Sequence, residues 1–238
     1  MKYLFFLLLT TITISSCNIV NDKISGNGNI ITKDFKVDDF KNIDVGNAIQ
    51  IFLTQDSGYS VKVATDENLF EYLKIRVNGE TLYADIENGY WLQSTGNIKL
   101  YISMAMAKNI SLSGATTLTT ENQFSQDEKL SLHLSGASDA VISVKAPVFY
   151  VDASGASKMT VEGETRDVIF DASGASTIDA QNLKSENANA EASGASSINL
   201  FASISLRADA SGASTISYSG NPSVKEKASG ASSVEKVE

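Results

Sequence analysis

In the second half of the chain, every second residue is apolar over short stretches, and this pattern restarts about every 20 residues. Each restart contains the motif Ser-Gly-Ala-Ser/Thr, which occurs seven times. Its glycines are Gly114, Gly136, Gly155, Gly174, Gly194, Gly212 and Gly230, spaced 22, 19, 19, 20, 18 and 18 residues apart. A repeat of this length predicts a solenoid, in which the units stack because none can bury its apolar face alone.

The residues around each repeat glycine predict strands with one buried face. The fourth residue after each glycine is always apolar: Leu118, Ala140, Met159, Ile178, Ile198, Ile216 and Val234. The second residue before it is always Leu or Ala, and the fourth before it is apolar except for Glu226 in the last copy. Alternation with a period of two is typical of a β-strand that faces a core on one side.

The short repeat leaves no room for a helix between parallel strands. We therefore predict an all-β fold, a single-stranded parallel β-helix with rungs of 18–22 residues stacked about 4.8 Å apart. The repeat glycines should lie in a file, at a bend or close approach that a Cβ atom would obstruct. The serine hydroxyls of the motif could form hydrogen bonds along the stack.

In residues 35–112, apolar and polar residues alternate less regularly. The segment Val77-Asn78-Gly79-Glu80 predicts a hairpin turn, and Thr65 or Asp66 could cap a short helix. We expect these residues to form irregular first rungs of one β-helical body, residues 35–238, whose repeat rungs cover 113–238. Two packed domains with a boundary near residue 107 are the alternative. The last rung is rich in Lys and Glu, which would protect the open end of the stack.

The N-terminus is typical of a lipoprotein signal. Lys2 precedes the apolar run 3–14, and Ser15-Ser16-Cys17 follows it. We expect cleavage of residues 1–16, lipid attachment to the Cys17 thiol, and a flexible tether over residues 17–34. The apolar run is too short to span a bilayer. An ordinary secretory signal with a chance cysteine is the alternative, and either one predicts an exported protein.

The composition limits the kinds of chemical site and partner that the protein can have. Cys17 is the sole cysteine, which excludes a disulfide within the chain, a cysteine metal cage and, once lipidated, a cysteine nucleophile. His133 is the sole histidine, and we expect it to be an exposed surface residue rather than a catalytic one. The formal net charge is −9, and it becomes −10 when Lys2 leaves with the signal. This acidity argues against nucleic acid as a partner, so the expected membrane association depends on the lipid.

Four carboxylates stand three residues before successive repeat glycines: Asp152, Asp171, Glu191 and Asp209. In an aligned stack they form an outward column in which neighbours repel by roughly 1 kcal/mol in water. Such a column could bind a divalent cation such as Ca²⁺, the one cofactor that the sequence suggests, or raise its own pKa values. Alternatively, the side chains splay into water and salt screens them.

Tyr90-Trp91 follows Asn88-Gly89 in a predicted loop. An aromatic pair in a loop could stack on a sugar ring, so we treat Tyr90 and Trp91 as candidate ligand-binding residues. The alternative is that the pair covers the core of the first rungs.

Three stretches together are similar to a known family: Phe40–Ala48, Tyr59–Leu69 and the Ser-Gly-Ala array. They resemble the bacterial auto-transporter adhesin, head GIN domain family, with the likeness covering about residues 35–220. The resemblance implies a single-stranded parallel β-helix similar to pectin-lyase-like solenoids, for which we expect a right-handed coil. It also implies an adhesive role at the cell surface and brings no catalytic residues.

We therefore expect a lipid-anchored protein of the bacterial cell envelope, at the outer membrane, on its periplasmic or outer side. Its body should bind a glycan, or a protein of a host or neighbouring cell, without catalysing a reaction. A carbohydrate-active enzyme that uses the acidic rung residues is the first alternative, because paired carboxylates can hydrolyse glycosides. An inert scaffold is the second.

Overall fold

The structure is a computed structural model that describes residues 22–237. Its first half contains nine strands: β1 (Asp22–Ser25), β2 (Ile30–Phe35), β3 (Asn42–Val45), β4 (Ile49–Gln55), β5 (Ser60–Asp66), β6 (Leu73–Asn78), β7 (Thr81–Ile86), β8 (Tyr90–Gln93) and β9 (Ile98–Met104). A 3₁₀ helix, Glu67–Tyr72, follows β5. Twelve strands follow: β10 (Asn109–Leu112), β11 (Thr117–Thr120), β12 (Phe124–Ser125), β13 (Leu130–Leu134), β14 (Asp139–Ala153), β15 (Lys158–Ala172), β16 (Thr177–Ala192), β17 (Ser197–Ala202), β18 (Ser205–Ala210), β19 (Thr215–Gly220), β20 (Ser223–Ala228) and β21 (Ser233–Lys236).

The strands of the second half stack in parallel and in register, which confirms the predicted β-solenoid, with about 6 turns. The apolar residues that stand four positions after the repeat glycines form a continuous column. In it, Met159 pairs with Ile178, Ile178 with Ile198, and Ile198 with Ile216. Each of these side chains is buried. Each repeat rung turns at its Ser-Gly-Ala-Ser/Thr corner. About halfway between successive corners the alternation of buried residues shifts phase, at Pro147 within β14, and in a later rung the strand is interrupted between β17 and β18. We call this the second bend.

The repeat glycines lie in one file, with φ angles between 72° and 78°. A Cβ atom on Gly136, Gly174, Gly194, Gly212 or Gly230 would lie 2.6–2.8 Å from the carbonyl oxygen of the preceding repeat glycine, and one on Gly155 would lie closer still. The N–H of the alanine that follows each of these glycines donates to that same carbonyl oxygen at 2.7 Å. Glycine is therefore required both by the left-handed backbone and by the close approach of the rungs.

The last hydroxyl of each corner motif bonds to backbone carbonyls rather than to other hydroxyls. The buried Ser176 Oγ, for example, lies 2.9 Å from the carbonyl of Ser173 in its own corner and 3.0 Å from that of Ala153 in the rung before. All seven motifs repeat the bond within the corner. In each corner this hydroxyl thus satisfies the carbonyl of the first serine of the motif.

The first half builds the end of the same stack, but chain order differs from spatial order. The rung made by β3 and β4 lies between the β10–β11 rung and the rung made by β7 and β9, because β3 pairs with both β10 and β7. The predicted hairpin is confirmed as β6–β7, with the turn at Gly79-Glu80. Antiparallel strands β6, β5 and β2 cover this end of the solenoid. Buried apolar residues from Phe40 to Ile216 form one continuous core.

The part of the expected tether that the structure describes is ordered, which corrects that expectation for residues 22–34. Strand β1 pairs with β8 in a separate two-stranded sheet, and β2 pairs with β5. Both segments are mostly exposed, and their few apolar residues do not alternate with polar ones. They are held by backbone hydrogen bonds to strands that lie far away in the sequence, which no local pattern reports.

Candidate functional site

The four predicted carboxylates form a column on one outer face of the solenoid. Asp152 pairs with Asp171, Asp171 with Glu191, and Glu191 with Asp209. A shallow groove of about 190 Å³ lies beside the last three, next to the serines of their corners. The sequence therefore identified the neighbours correctly, because residues one repeat apart become adjacent in a stack.

Asp171, the second carboxylate of this column, accepts a hydrogen bond from an aromatic residue. The Tyr150 hydroxyl donates to Asp171 Oδ2 at 3.0 Å. Burial and this bond raise the pKa of Tyr150 to about 12. His133 lies half-exposed with its Nδ1 3.7 Å from Asp152 Oδ2. Within residues 22–237, no group of three or more His, Cys, Asp or Glu side chains is arranged to hold a metal ion. Calcium binding by the column stays a prediction.

A larger groove of about 540 Å³ lies along the second bends of the repeat rungs. We call it the bend groove. Its lining is Ser125, Gln126, Asp127, Lys145, Ala146, Pro147, Glu164, Thr165, Arg166, Lys184, Ser185, Glu186, Phe201 and Ser203. Three of these side chains are cationic and three are anionic, so the groove is neutral in a protein whose net charge is −9. A neutral groove with charges of both signs can accept an anionic ligand that most of this acidic surface would repel.

The charged residues of the bend groove lie opposite one another on neighbouring rungs. Lys145 pairs with Glu164 and Glu164 with Lys184, so the charge alternates from rung to rung. Lys145 Nζ lies 3.3 Å from Glu164 Oε2. The Lys184 ammonium lies 4.3 Å from the centre of the Phe201 ring, which fixes both side chains at the wall of the groove.

Only part of the Arg166 guanidinium is engaged in hydrogen bonds in this groove. Its Nε donates to Asp167 Oδ2 at 2.8 Å, and Asn187 Nδ2 donates to the other oxygen of Asp167 at 2.9 Å. These two bonds lower the pKa of Asp167. The terminal guanidinium nitrogens of Arg166 make no hydrogen bond to any residue that the structure describes. They are available for the two-pronged contact that a guanidinium makes with a carboxylate or a phosphate.

The sequence did not single out the bend groove, although the repeat contained a signal for it. Lys145, Glu164 and Lys184 each stand ten residues before a repeat glycine. Counting that far from the motif would have revealed the alternating charges. The depth of the groove depends on where each rung bends, and the sequence does not mark that bend consistently.

Tyr90 and Trp91 lie on strand β8 instead of in a loop. Adjacent residues of a strand point to opposite faces. Accordingly, Tyr90 packs against the core, with its ring centre 4.7 Å from that of Tyr72, whereas Trp91 is 64% exposed. The two rings therefore do not form a joint platform for a sugar. Tyr90 thus fits the alternative that the pair covers the core, and Trp91 does not. Sugar contact by Trp91 stays a prediction.

Asp66 is a buried carboxylate that the sequence offered only as a helix cap. It precedes the predicted short helix without capping it through its side chain. It accepts hydrogen bonds from Gly28 N, Ser94 Oγ, Thr95 N and Thr95 Oγ1 at 2.7–2.8 Å. Burial alone would raise the pKa of Asp66, but these four bonds outweigh it and hold the pKa well below its usual range. With both oxygens satisfied, Asp66 has a structural role.

The predicted signal segment 1–16 and the lipidation residue Cys17 lie outside the described residues. Among residues 22–237, the structure contains no helix with the length and hydrophobicity that a bilayer crossing requires.

Solved structures share this fold at low sequence identity. A "putative adhesin" from Bacteroides fragilis is 23% identical, with a TM-score of 0.85 over 90% of this chain and 100% of that one. A "putative lipid binding protein" from Parabacteroides distasonis is 22% identical, with a TM-score of 0.70 over 91% and 100% of the two chains. A "putative adhesin" from Parabacteroides merdae is 21% identical, with the same TM-score and the same coverage. At these identities the likeness shows the fold alone.

No curated protein matches the chain. A family model does match, over residues 39–222, which include the irregular first rungs and six of the seven corner motifs. Because this match covers most of the chain and agrees with the stacked rungs, the chain belongs to the family described as "Putative auto-transporter adhesin, head GIN domain".

Proposed function

We propose that this protein is a non-enzymatic adhesin of the bacterial cell envelope, anchored by lipid on Cys17, that binds its ligand in the bend groove. The family match over residues 39–222 is the observation that carries the adhesive role. The pattern Lys2, apolar run 3–14 and Cys17 supports the anchor.

The chemistry of the bend groove favours a glycan that bears carboxylates. Arg166 offers free terminal nitrogens, and Lys145 and Lys184 add positive charge on either side of Glu164. Asp127, Glu164 and Glu186 can accept hydrogen bonds from sugar hydroxyls, while Phe201 and Pro147 supply apolar surface. The groove is long and open across several rungs, which suits an extended chain better than a small molecule.

The experiment is a binding screen of the purified protein on an array of neutral glycans, uronate-bearing glycans and matrix proteins. We expect retention on the acidic glycans without release of product. Replacing Arg166 by Ala should weaken that binding about tenfold to a hundredfold, the value of a charge-assisted hydrogen bond. Arg166→Lys should rescue it only in part, because an ammonium cannot make the two-pronged contact.

Lys158→Ala is the matched control, since Lys158 is exposed on β15 and lies outside the groove. Acidic-glycan binding that is equally strong in Arg166→Ala and Lys158→Ala would place the ligand elsewhere. Shortened glycan products would instead identify a carbohydrate-active enzyme. An array without any signal would favour the inert scaffold.

A further inference from the structure

The exposed Trp91 lies on the same small sheet in which the described chain begins. Strands β1 and β8 pair in parallel, with Asp22 opposite Tyr90 and Lys23 opposite Trp91. The Asp22 N–H donates to the Gly89 carbonyl at 2.8 Å. The strand that carries Trp91 is therefore bonded to the first residues that follow the expected lipid-bearing segment.

The chain between Cys17 and β1 is short. Six residue steps separate Cys17 from Lys23, and an extended chain spans at most about 3.5 Å per residue, or about 21 Å in all. Strand β8 adds about 4.8 Å to this distance. The backbone of Trp91 thus lies within roughly 25 Å of Cys17, whatever path the chain follows. A lipid on Cys17 would hold β8 near the bilayer surface.

The residues at this end suit a membrane interface. Trp91 is 64% exposed, and Lys23 beside it is also exposed. Indole rings concentrate at the level of lipid headgroups, where their apolar body and polar N–H are both accommodated. The exposed Ile30 begins strand β2, a few residues after β1.

The charge of this first segment is compatible with an anionic membrane surface. Residues 22–36 contain Lys23, Lys33 and Lys36 against Asp22 and Asp34, a net charge of +1, whereas the whole chain has −9. Anionic lipid headgroups attract basic residues and repel an acidic surface. Residues 222–237 at the far end contain Lys225, Lys227 and Lys236 against Glu226 and Glu235, also a net charge of +1. Charge therefore permits either end to face the bilayer, and the short tether selects the end that carries β1 and β8.

We propose that Trp91, with Lys23 beside it, docks this end of the protein into the interface of an anionic membrane. The inference rests on the lipid anchor of the proposed function. Trp91 lies on β8, in sequence between β7 and β9, which form the first rung of the stack in space. Strands β19, β20 and β21 lie at the opposite end of the stack from the docked residue. The lipid supplies the local concentration that a single indole needs in order to bind.

Trp91 is the sole tryptophan of the chain, so its fluorescence reports directly on this contact. The test uses the lipidated full-length product in vesicles of phosphatidylethanolamine and phosphatidylglycerol, with and without lipids brominated near the headgroup. We expect a blue-shifted emission and a roughly twofold loss of intensity with brominated lipid, because the quencher lies at the depth that indole prefers. The unlipidated Cys17→Ser protein should show neither effect.

A tryptophan at the far end provides the matched control. Lys225→Trp in a Trp91→Phe background places an exposed indole on β20, where Lys225 pairs with the exposed Arg207 on the outer face, and it should remain unquenched. Vesicle flotation tests the anchor separately. Protein that floats with an unquenched Trp91 overturns the docking while the anchor stands, and protein that does not float overturns both. If a soluble glycan shifts Trp91 emission and brominated lipid does not, Trp91 binds sugar and the docking is wrong.

Discussion

At the scale of single residues, one backbone position recurs in every repeat rung and decides how closely the rungs can stack. Gly114 and the six repeat glycines after it adopt positive φ, and all but Gly114 pack against the carbonyl of the preceding repeat glycine. The sequence predicted this restriction from the motif alone. It did not predict that Asn47, at φ 63°, would occupy the equivalent corner of the β3–β4 rung next to Gly114. Asn tolerates left-handed backbone better than most residues, but Ala48 after it is also left-handed, at φ 60°, so this corner uses two such residues where each repeat corner uses one.

Replacing Gly174 by Ala should destabilise the protein by about 2–4 kcal/mol, from the left-handed backbone and from overlap with the Gly155 carbonyl. The midpoint of urea unfolding, followed by circular dichroism, measures the loss. Ala175→Ser, at the next and exposed position of the same corner, is the control and should unfold close to the wild type. Equal midpoints for the two variants would show that the corner does not constrain the stack.

At the scale of elements, a single buried side chain joins the turn before the first rung to a distant connection of the chain. Asp66 joins the β1–β2 turn through Gly28 and the β8–β9 connection through Ser94 and Thr95. A Cβ atom on Gly26 would overlap the Asp66 carboxylate, so the turn also packs tightly against it. The sequence could not reveal this contact, since its members are separated by 28 to 38 residues and follow no repeat.

Asp66 should make stability depend on pH. Its folded pKa lies below the ordinary value of 3.8, so its contribution is present above about pH 4 and is lost as the pH falls toward the folded pKa. Asp66→Asn should cost about 2–4 kcal/mol at pH 7, because it places an amide donor against other donors. The difference from the wild type should shrink as unfolding is repeated at lower pH.

Asp139→Asn is the control for this series, because Asp139 is exposed on β14. It should remain within about 0.5 kcal/mol of the wild type at pH 7. A penalty for Asp66→Asn that stays constant from pH 7 to acid would contradict the assigned role of the carboxylate.

At the scale of the whole molecule, the two ends of the solenoid differ. Antiparallel strands cover the end formed by the first half of the chain. The other end exposes every residue of β20, including Glu226, which pairs with the buried Ala208 and so continues an inward-facing column. An inward-pointing charge on an exposed edge opposes pairing with a second chain. We therefore expect Glu226 to oppose pairing of β20 and β21 with a second chain.

Glu226→Val should remove this protection and allow self-association through the open end. Sedimentation velocity over a range of concentrations should show larger species for Glu226→Val and none for the wild type. Glu235→Val is the matched control, because it removes the same charge from an exposed position on β21 that pairs with Ser217 on the outer face. If both variants associate to the same degree, net charge rather than the direction of Glu226 is responsible.

The sequence by itself determined the repeat rungs, their register and the acidic column. In a solenoid the spatial neighbour of a residue lies one period away along the chain, so a motif such as Ser173–Ser176 defines both a local bend and its contacts. The tertiary structure alone decided the position of the β3–β4 rung, the pairing of β1 with β8, the shape of the bend groove and the exposure of Trp91. These features join segments at irregular separations, where backbone hydrogen bonds and packing, rather than any periodic pattern, select the partner.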